Sequence, residues 1–328
     1  MSRGRRARGL GTFGVLLCLW VPGCAAGAGD ARSPGGSSAA ELEIPGLAVS
    51  DLTSREQRDF ESFVSELPAP CREVGSSLKQ CVKERKSCGS CVPAVRFLFS
   101  QVRRGMAPAQ VAAAYQIRFS PEAVRTIDLG SAPTKGAKHP SVVIVEWADF
   151  ECSACAATAP LLDRKIKAYP EHVMLAFKHY PIGRHTDSEP AARAAVAAAR
   201  QGKFWALHDL MFLNQQLLGP EGLERLAEKA GLNLARFRQD FASDTARESV
   251  ESDRRQGDAL GLTGTPMLYV NGRHFDYRYF SVLDDLDEWI QLEIEIKTGQ
   301  RVTPREITST TWPDPPETSP SGGAGGGA

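Results

Sequence analysis

The chain has 328 residues and a formal net charge of zero, with 39 basic and 39 acidic side chains. A chain of this length can bury an ordinary core, and we expect one full domain with a smaller one beside it. Because the charges balance, the sequence lacks the basic excess that is typical of nucleic-acid binders and predicts no nucleic-acid partner.

The N-terminus predicts export. Residues 1–26 join a basic start to an apolar run from Leu10 to Val21, which is too short to span a membrane as a mature helix. The run ends in "VPGC", which resembles a bacterial lipobox and makes Cys24 a candidate for lipidation; ordinary cleavage two or four residues later is the alternative. We expect a protein of the bacterial cell envelope or periplasm, either lipid-anchored at the membrane or soluble and exported.

Two segments of different composition follow the signal. Residues 27–52 are rich in Gly, Ala and Ser without periodicity, which predicts a flexible linker. Residues 53–128 follow a helical pattern and predict a small helical domain with four cysteines.

The four cysteines of this region are Cys71, Cys81, Cys88 and Cys91. In an exported helical domain the default is two bracing disulfides, and the sequence leaves three pairings open. Two alternatives remain: "CGSC" at 88–91 as a second redox pair that resets another site, and a four-cysteine metal site.

From residue 135 the pattern changes to that of an α/β domain, predicted over 135–300. A β-branched run at 142–145 indicates a buried central strand, and the predicted order is β, α, β, a long helical block, β, β, α. Asn271-Gly272 is typical of the turn between the last two strands. The tail 301–328, rich in Pro and Gly, is predicted to be disordered.

Cys152 and Cys155 stand three positions apart where the first strand meets the following helix. That spacing allows a disulfide to close, and unpaired N–H groups at a helix start favour a thiolate at Cys152. Cys155, one turn further on, is expected to be the buried partner. A plain structural disulfide and half of a zinc site are the alternatives, although zinc normally takes four ligands.

Residues from about 142 to 290 resemble the DsbA-like branch of the thioredoxin superfamily, the disulfide oxidoreductases of bacterial envelopes. The resemblance implies a thioredoxin fold whose inserted helical subdomain caps the core and lines the substrate groove. The matching stretches are "VVIVEWADFECSACAATAPLL", "FKHYPIG", "AARAAVAAARQGKFWALHDLMF" and "GLTGTPMLYVNGR".

The resemblance also implies roles for residues beside the cysteines. Gly264, Thr265 and Pro266 match the family's cis-proline loop, which contacts the active-site disulfide and offers backbone groups to substrate. Glu146 matches a buried acid that exchanges a proton with Cys155; a glutamate pointing to solvent is the alternative. The strongest oxidants of the family carry Pro-His between the cysteines, whereas this chain has Ser-Ala, which puts its oxidising strength in doubt.

Other polar residues carry weaker signals. Lys178 and His179, beside the site, could tune its charge or lie at a solvated strand end, and His208 with Asp209 is interpreted as part of the fold. Residues 105–124 show a short resemblance to the helical hairpin of CcmH-type proteins of cytochrome c maturation, which hints at a dedicated thiol client.

The sequence therefore predicts a thiol:disulfide oxidoreductase that uses Cys152 and Cys155, needs no cofactor or metal, and forms, reduces or rearranges disulfides in exported polypeptides. A separate, unidentified redox partner would reset the site. A docking or chaperone module with a structural disulfide, and a thiol-based metal carrier, are the competing hypotheses.

Overall fold

The computed structural model describes residues 42–307 and Trp312. The predicted signal 1–26 with Cys24, and most of the predicted linker and tail, lie outside the described residues. No helix within the described part of the chain is both long and apolar enough to cross a membrane.

Helices dominate the described chain and surround a small sheet. The helices are α1 (Ser54–Glu66), α2 (Leu78–Lys83), α3 (Cys91–Arg103), α4 (Pro108–Phe119), α5 (Ser153–Ala168), α6 (Ser188–Ala199), α7 (Phe204–Leu213), α8 (Pro220–Lys229), α9 (Leu234–Ala242), α10 (Asp244–Ala259) and α11 (Leu286–Thr298). The strands are β1 (Thr134–Gly136), β2 (Val142–Ala148), β3 (Val173–His179), β4 (Met267–Val270) and β5 (Arg273–His274).

The sheet has the order β1-β3-β2-β4-β5. β2 and β3 are parallel and are connected through α5, while β1, β4 and β5 pair antiparallel with their neighbours. In the central strand β2, Ile144 lies between Leu175 and Val270, and β2 is buried on both faces apart from half-buried Val143. A run of β-branched residues suits this position because it packs well on a pleated surface.

The predicted thioredoxin fold is confirmed. The order β2, α5, β3, a helical block from α6 to α10, β4, β5, α11 follows the predicted order, and the block is inserted between β3 and β4. The edge strand β1 was not predicted, because its three residues, Thr-Lys-Gly, carry no apolar alternation.

The N-terminal region is helical, as predicted, but it shares its core with the thioredoxin fold. Phe97 of α3 lies 5.4 Å from Phe119 and 6.2 Å from Phe280 between ring centroids. Arg118 of α4 is fully buried and donates to Glu293 of α11 at 2.6 Å. The predicted helical region 53–128 thus packs against the thioredoxin fold, and the described residues belong to one compact unit.

Some described residues of the predicted linker 27–52 and tail 301–328 pack against the core. Leu42, Ile44 and Leu52 are each only 4 % exposed and belong to the main core. After α11, Ile307 packs against the same core, and the Arg305 N–H donates to the Ala168 carbonyl at 2.9 Å. A few apolar residues suffice for this docking, and they are diluted when composition is averaged over a Gly- or Pro-rich segment.

Candidate functional site

Cys152 lies at the end of a tight connection between β2 and α5. Its φ and ψ of −77° and 118° are those of an extended residue at the N-cap, and α5 begins at Ser153. The Cys152 N–H donates to the Asp149 carbonyl at 3.0 Å, and the Ala156 N–H donates to the Cys152 carbonyl at 3.1 Å. The first backbone N–H groups of α5 therefore face the Cys152 sulfur without helical partners of their own.

The two cysteines of the site are free thiols in opposite surroundings. Cys152 is half-buried and open to solvent, whereas Cys155 is fully buried in a hydrophobic cluster that it shares with residues of the inserted helices. The intervening Ser153 and Ala154 are exposed. The predicted division into one accessible and one buried sulfur is seen in this geometry.

The surroundings separate the two thiol pKa values. The pKa of Cys152 is lowered to about 5, mainly by a hydrogen bond from Cys155 and further by Thr265 and the backbone N–H groups of Ala154 and Cys155, against a smaller effect of burial. Burial raises the pKa of Cys155, and its hydrogen bond with Cys152 and the charge of Glu146 act in the same direction. At neutral pH Cys152 is a thiolate and Cys155 a thiol.

The predicted proline loop faces this thiolate. The Thr265–Pro266 peptide bond is cis, and the Cys152 Sγ lies 3.4 Å from the Thr265 carbonyl oxygen. Gly264, Thr265 and Pro266 are each half-buried, so their backbone remains in reach of a bound chain. The Thr265 side chain also favours the Cys152 thiolate through a hydrogen bond that lowers its pKa.

Glu146 points into the core and not to solvent. It lies on β2 between Phe177 and Leu268, is fully buried, and neither carboxyl oxygen has a hydrogen-bond partner. Burial, and secondarily the charge of Cys152, raises the pKa of Glu146 to about 8. The carboxyl group therefore holds a proton at neutral pH and can give it up near that pH.

Sequence reasoning missed a hydrogen-bond network that holds the Cys152 loop. The Asp149 carboxylate is almost completely buried and accepts from His185 Nδ1 and the Ile182 N–H, both at 2.8 Å, and from the Ser188 hydroxyl. Its other bond comes from the Glu151 N–H at 2.8 Å. The network ties the turn before Cys152 to the segment after β3, and an aspartate three positions before the first cysteine was its only sequence signal.

Lys178 and His179 are buried and not at a solvated strand end. Lys178 Nζ lies 2.9 Å from the Asp253 Oδ1, and the His179 N–H donates to the Asp253 Oδ2 at 3.0 Å. Burial lowers the pKa of His179 to about 4, so it is neutral. His208 is also buried, with its Nδ1 2.7 Å from Asp209, in agreement with a role in the fold.

The four N-terminal cysteines form two disulfides, Cys71–Cys88 and Cys81–Cys91. Cys88 and Cys91 are thus not bonded to each other as a C-x-x-C pair would be. They lie far from Cys152. Gly89, between them, is next to the C-terminal turn of α11, and α11 lies by the start of β2. Cys152 instead follows the end of β2. The length of β2, roughly 20 Å, separates the two places.

The chain matches known proteins over its C-terminal half. A family model described as thioredoxin covers residues 128–291, half of the chain. Among curated proteins, a Na⁺/H⁺ antiporter NhaA of Salinispora tropica is 37 % identical over 140 residues, 42 % of this chain and 21 % of the antiporter. One of Herminiimonas arsenicoxydans is 34 % identical over 145 residues, 44 % of this chain and 23 % of that protein. The chain thus spans about a fifth to a quarter of the length of these relatives.

Solved structures resemble the same region. A thioredoxin-like oxidoreductase of Silicibacter pomeroyi is 26 % identical, with a TM-score of 0.42 over 48 % of this chain and 90 % of the other. Oxidised BdbD of Bacillus subtilis is 20 % identical, with a TM-score of 0.47 over 53 % of this chain and 98 % of the other. The family match covers half of the chain, and the fold and the thiol pair at the start of α5 agree with it, so the chain belongs to the thioredoxin family.

Proposed function

We propose that this protein exchanges disulfides with cysteines of exported polypeptides in the bacterial cell envelope, through Cys152 and Cys155. The observation that carries the proposal is the contrast between the two sulfurs: a half-exposed thiolate at Cys152 and a buried thiol at Cys155 one turn away. An accessible thiolate reacts with a partner's sulfur, and a buried neighbour resolves the mixed disulfide.

The exchange proceeds in two displacements. In the oxidised protein a substrate thiolate attacks the Cys152 sulfur, the Cys152–Cys155 bond breaks, and its electron pair goes to Cys155. A second substrate thiolate then attacks the substrate sulfur of the mixed disulfide and releases Cys152 as a thiolate, which leaves an oxidised substrate and a reduced protein. The reverse sequence reduces a substrate disulfide.

Glu146 supplies the proton that this sequence requires. When Cys155 leaves as a thiolate, its buried position strongly favours protonation, and Glu146 lies near enough to act on the pKa of the same sulfur. A carboxyl group with a pKa of about 8 carries the proton at neutral pH and can take it back when Cys155 attacks in the reverse direction.

The loop at Gly264, Thr265 and Pro266 binds the substrate's backbone. Its residues are half-buried beside the reacting sulfur, and Thr265 presents its carbonyl within 3.4 Å of Cys152. An extended peptide that binds this loop would bring its own cysteine to Cys152.

The low pKa of Cys152 supports the oxidising direction. A stabilised thiolate stabilises the reduced protein and makes its disulfide a better oxidant. This stabilisation needs no imidazole between the cysteines, because the Cys155 side chain and the first N–H groups of α5 provide it. The Ser-Ala dipeptide therefore does not by itself make the protein a weak oxidant.

Export of the protein rests on the N-terminal sequence and on the two disulfides. Disulfides such as Cys71–Cys88 and Cys81–Cys91 persist outside the cytoplasm, in keeping with the signal-like residues 1–26 and an anchor on Cys24. After each oxidation the reduced pair requires an electron acceptor, so a separate redox partner belongs to the proposal.

The test is turnover of a reporter peptide that carries two thiols, with the wild type, Cys152→Ala and Cys155→Ala. We expect Cys152→Ala to abolish oxidation, and Cys155→Ala, offered a peptide disulfide, to accumulate a mixed disulfide at Cys152. Ser153→Ala, an exposed change between the cysteines, is the matched control and should retain activity. Full turnover by Cys152→Ala would refute the proposal and favour the docking module.

A further inference from the structure

The N-terminal disulfides bring three sulfurs together. The Sγ atoms of Cys81, Cys88 and Cys91 all lie within 4.8 Å of one another, although Cys88 is bonded to Cys71 and only Cys81 and Cys91 are bonded to each other. The sulfur of one disulfide is thus next to both sulfurs of the other. A thiolate released at Cys88 would already be close to a disulfide that it can attack.

The two disulfides differ in access. Cys81 and Cys91 are 1 % and 2 % exposed, whereas Cys71 and Cys88 are half-buried. Cys71 also lines a groove of about 600 Å³, a volume typical of sites for small molecules. Other residues that line the groove are Pro68, Gly75, Gln80, Tyr115 and Phe119. An incoming thiol therefore meets Cys71 first.

We propose that the four cysteines form a second thiol-exchange site, which captures a small thiol on Cys71. On capture, the inner disulfide, Cys81–Cys91, is exchanged for one between Cys88 and Cys81. The entering thiolate attacks the Cys71 sulfur, the Cys71–Cys88 bond breaks, and its electron pair goes to Cys88. The Cys88 thiolate then attacks the Cys81 sulfur, and the electron pair of the Cys81–Cys91 bond goes to Cys91, which takes a proton. The number of disulfides stays at two, one mixed on Cys71 and one internal between Cys88 and Cys81, so the exchange consumes no oxidant.

Cys91 is the better leaving group of the inner pair. It is the first residue of α3, a helix of 13 residues, where the helix dipole favours a thiolate. Cys81 lies four residues into α2, a helix of only 6 residues, where the dipole is weaker. The attack of Cys88 on Cys81 is therefore favoured over the attack on Cys91, since a thiol with a lower pKa leaves faster.

The transfer makes the capture persistent. Intramolecular release of the bound thiol from Cys71 requires the Cys88 thiolate, and after the transfer Cys88 is held in a disulfide with Cys81. Exchange of the inner disulfide thereby slows loss of the small thiol from Cys71. The site works independently of Cys152, because the length of β2 separates the two places.

The experiment uses the full chain with Cys152→Ser and Cys155→Ser, so that the site of the proposed function cannot react. The protein is incubated with reduced glutathione, free thiols are alkylated, and the disulfides are mapped by mass spectrometry. We expect one glutathione on Cys71, a linkage of Cys88 to Cys81, and the alkyl group on Cys91. A linkage of Cys88 to Cys91 would also support the transfer, whereas no adduct, or an adduct with Cys88 alkylated and Cys81–Cys91 intact, would overturn it.

Two further variants in the same background make the test independent of the probe. Cys71→Ser releases Cys88 from the start, and we expect a fraction of the molecules to link Cys88 to Cys81 without any added thiol. The matched control, Cys88→Ser, leaves Cys71 free and should keep only the Cys81–Cys91 linkage. An intact Cys81–Cys91 disulfide with free Cys88 in folded Cys71→Ser would contradict the proposal.

Discussion

Cys152 and Cys155 are one helical turn apart, yet they react differently because their surroundings differ. The first N–H groups of α5 and the Cys155 side chain stabilise the Cys152 thiolate, whereas burial disfavours a charge on Cys155. Glu146 shares the buried side of the pair and holds a proton for the same reason. Position at the start of α5 thus sets the role of Cys152, and burial sets those of Cys155 and Glu146.

The opposite pKa shifts of Glu146 and Cys152 predict how the stability of the reduced protein depends on pH. The folded pKa of Glu146 is raised from 4.5 to about 8, so this group lowers stability as pH rises through that interval. The folded pKa of Cys152 is lowered from 9.0 to about 5, so this group raises stability as pH rises from about 5 to 9. In the wild type the two effects oppose each other.

Glu146→Gln removes the first effect and leaves the second. We expect the melting temperature of the reduced variant to rise more between pH 5 and pH 8 than that of the reduced wild type, as measured by circular dichroism. Glu221→Gln, the same change at an exposed position on α8, is the control and should follow the wild type. Equal changes in the wild type and Glu146→Gln would show that Glu146 does not titrate as inferred.

At the scale of elements, the site forms where two loops come together, one after β2 and one before β4. The turn after β2 carries Cys152, and the loop before β4 carries Thr265 and Pro266, which reach the sulfur because β2 and β4 are paired neighbours. Asp149 fixes the first connection by binding the segment after β3. The sheet thus places residues together that lie more than a hundred positions apart in the sequence.

Pro266→Ala tests the role of the second connection. Proline has no N–H and restricts the backbone beside Cys152. Alanine at this position adds a backbone hydrogen-bond donor and conformational freedom to the loop that contacts the reacting sulfur. We expect mixed disulfides to be released several-fold more slowly, measured by pulse-chase, with a smaller effect on the melting temperature. Pro220→Ala at the start of α8 is the control. Unchanged lifetimes of the mixed disulfides would show that the loop is only structural.

Strong local patterns made most elements predictable from the sequence. β2 combines a β-branched run with a cysteine pair directly after it, and β4 ends at Asn271-Gly272. The Asp149–His185 contact depends on tertiary proximity, and no local pattern reveals such a pair. The pairing of Cys71 with Cys88 was likewise open, because spacing alone permits three arrangements.

At the scale of the whole described chain, the N-terminal helices pack against the thioredoxin core and share apolar contacts with it. The buried Arg118–Glu293 ion pair joins α4 to α11, and Phe97 contacts Phe280 across the same boundary. The disulfides brace the helices at the end of the sheet opposite to Cys152. Their structural contribution should therefore be separable from chemistry at Cys152.

The double change Cys88→Ser, Cys91→Ser removes both disulfides. Each disulfide is expected to stabilise the fold by about 2 to 4 kcal/mol, chiefly by restricting the unfolded chain. We expect a lower melting temperature, but multiple turnovers of a reporter peptide at the wild-type rate at a temperature where the variant is folded. Ser87→Ala with Ser90→Ala is the matched control. A stall after one turnover would show that these cysteines reset Cys152.

The reduction potential of the Cys152–Cys155 pair tests the central claim most directly, since a stabilised Cys152 thiolate makes the disulfide oxidising. The full chain is equilibrated with glutathione buffers, quenched with acid and alkylated, and the peptide that carries both cysteines is quantified separately from the other four. We predict a potential above that of thioredoxin, about −270 mV. A value at or below it would contradict the proposed role of the Cys152 thiolate in an oxidising enzyme.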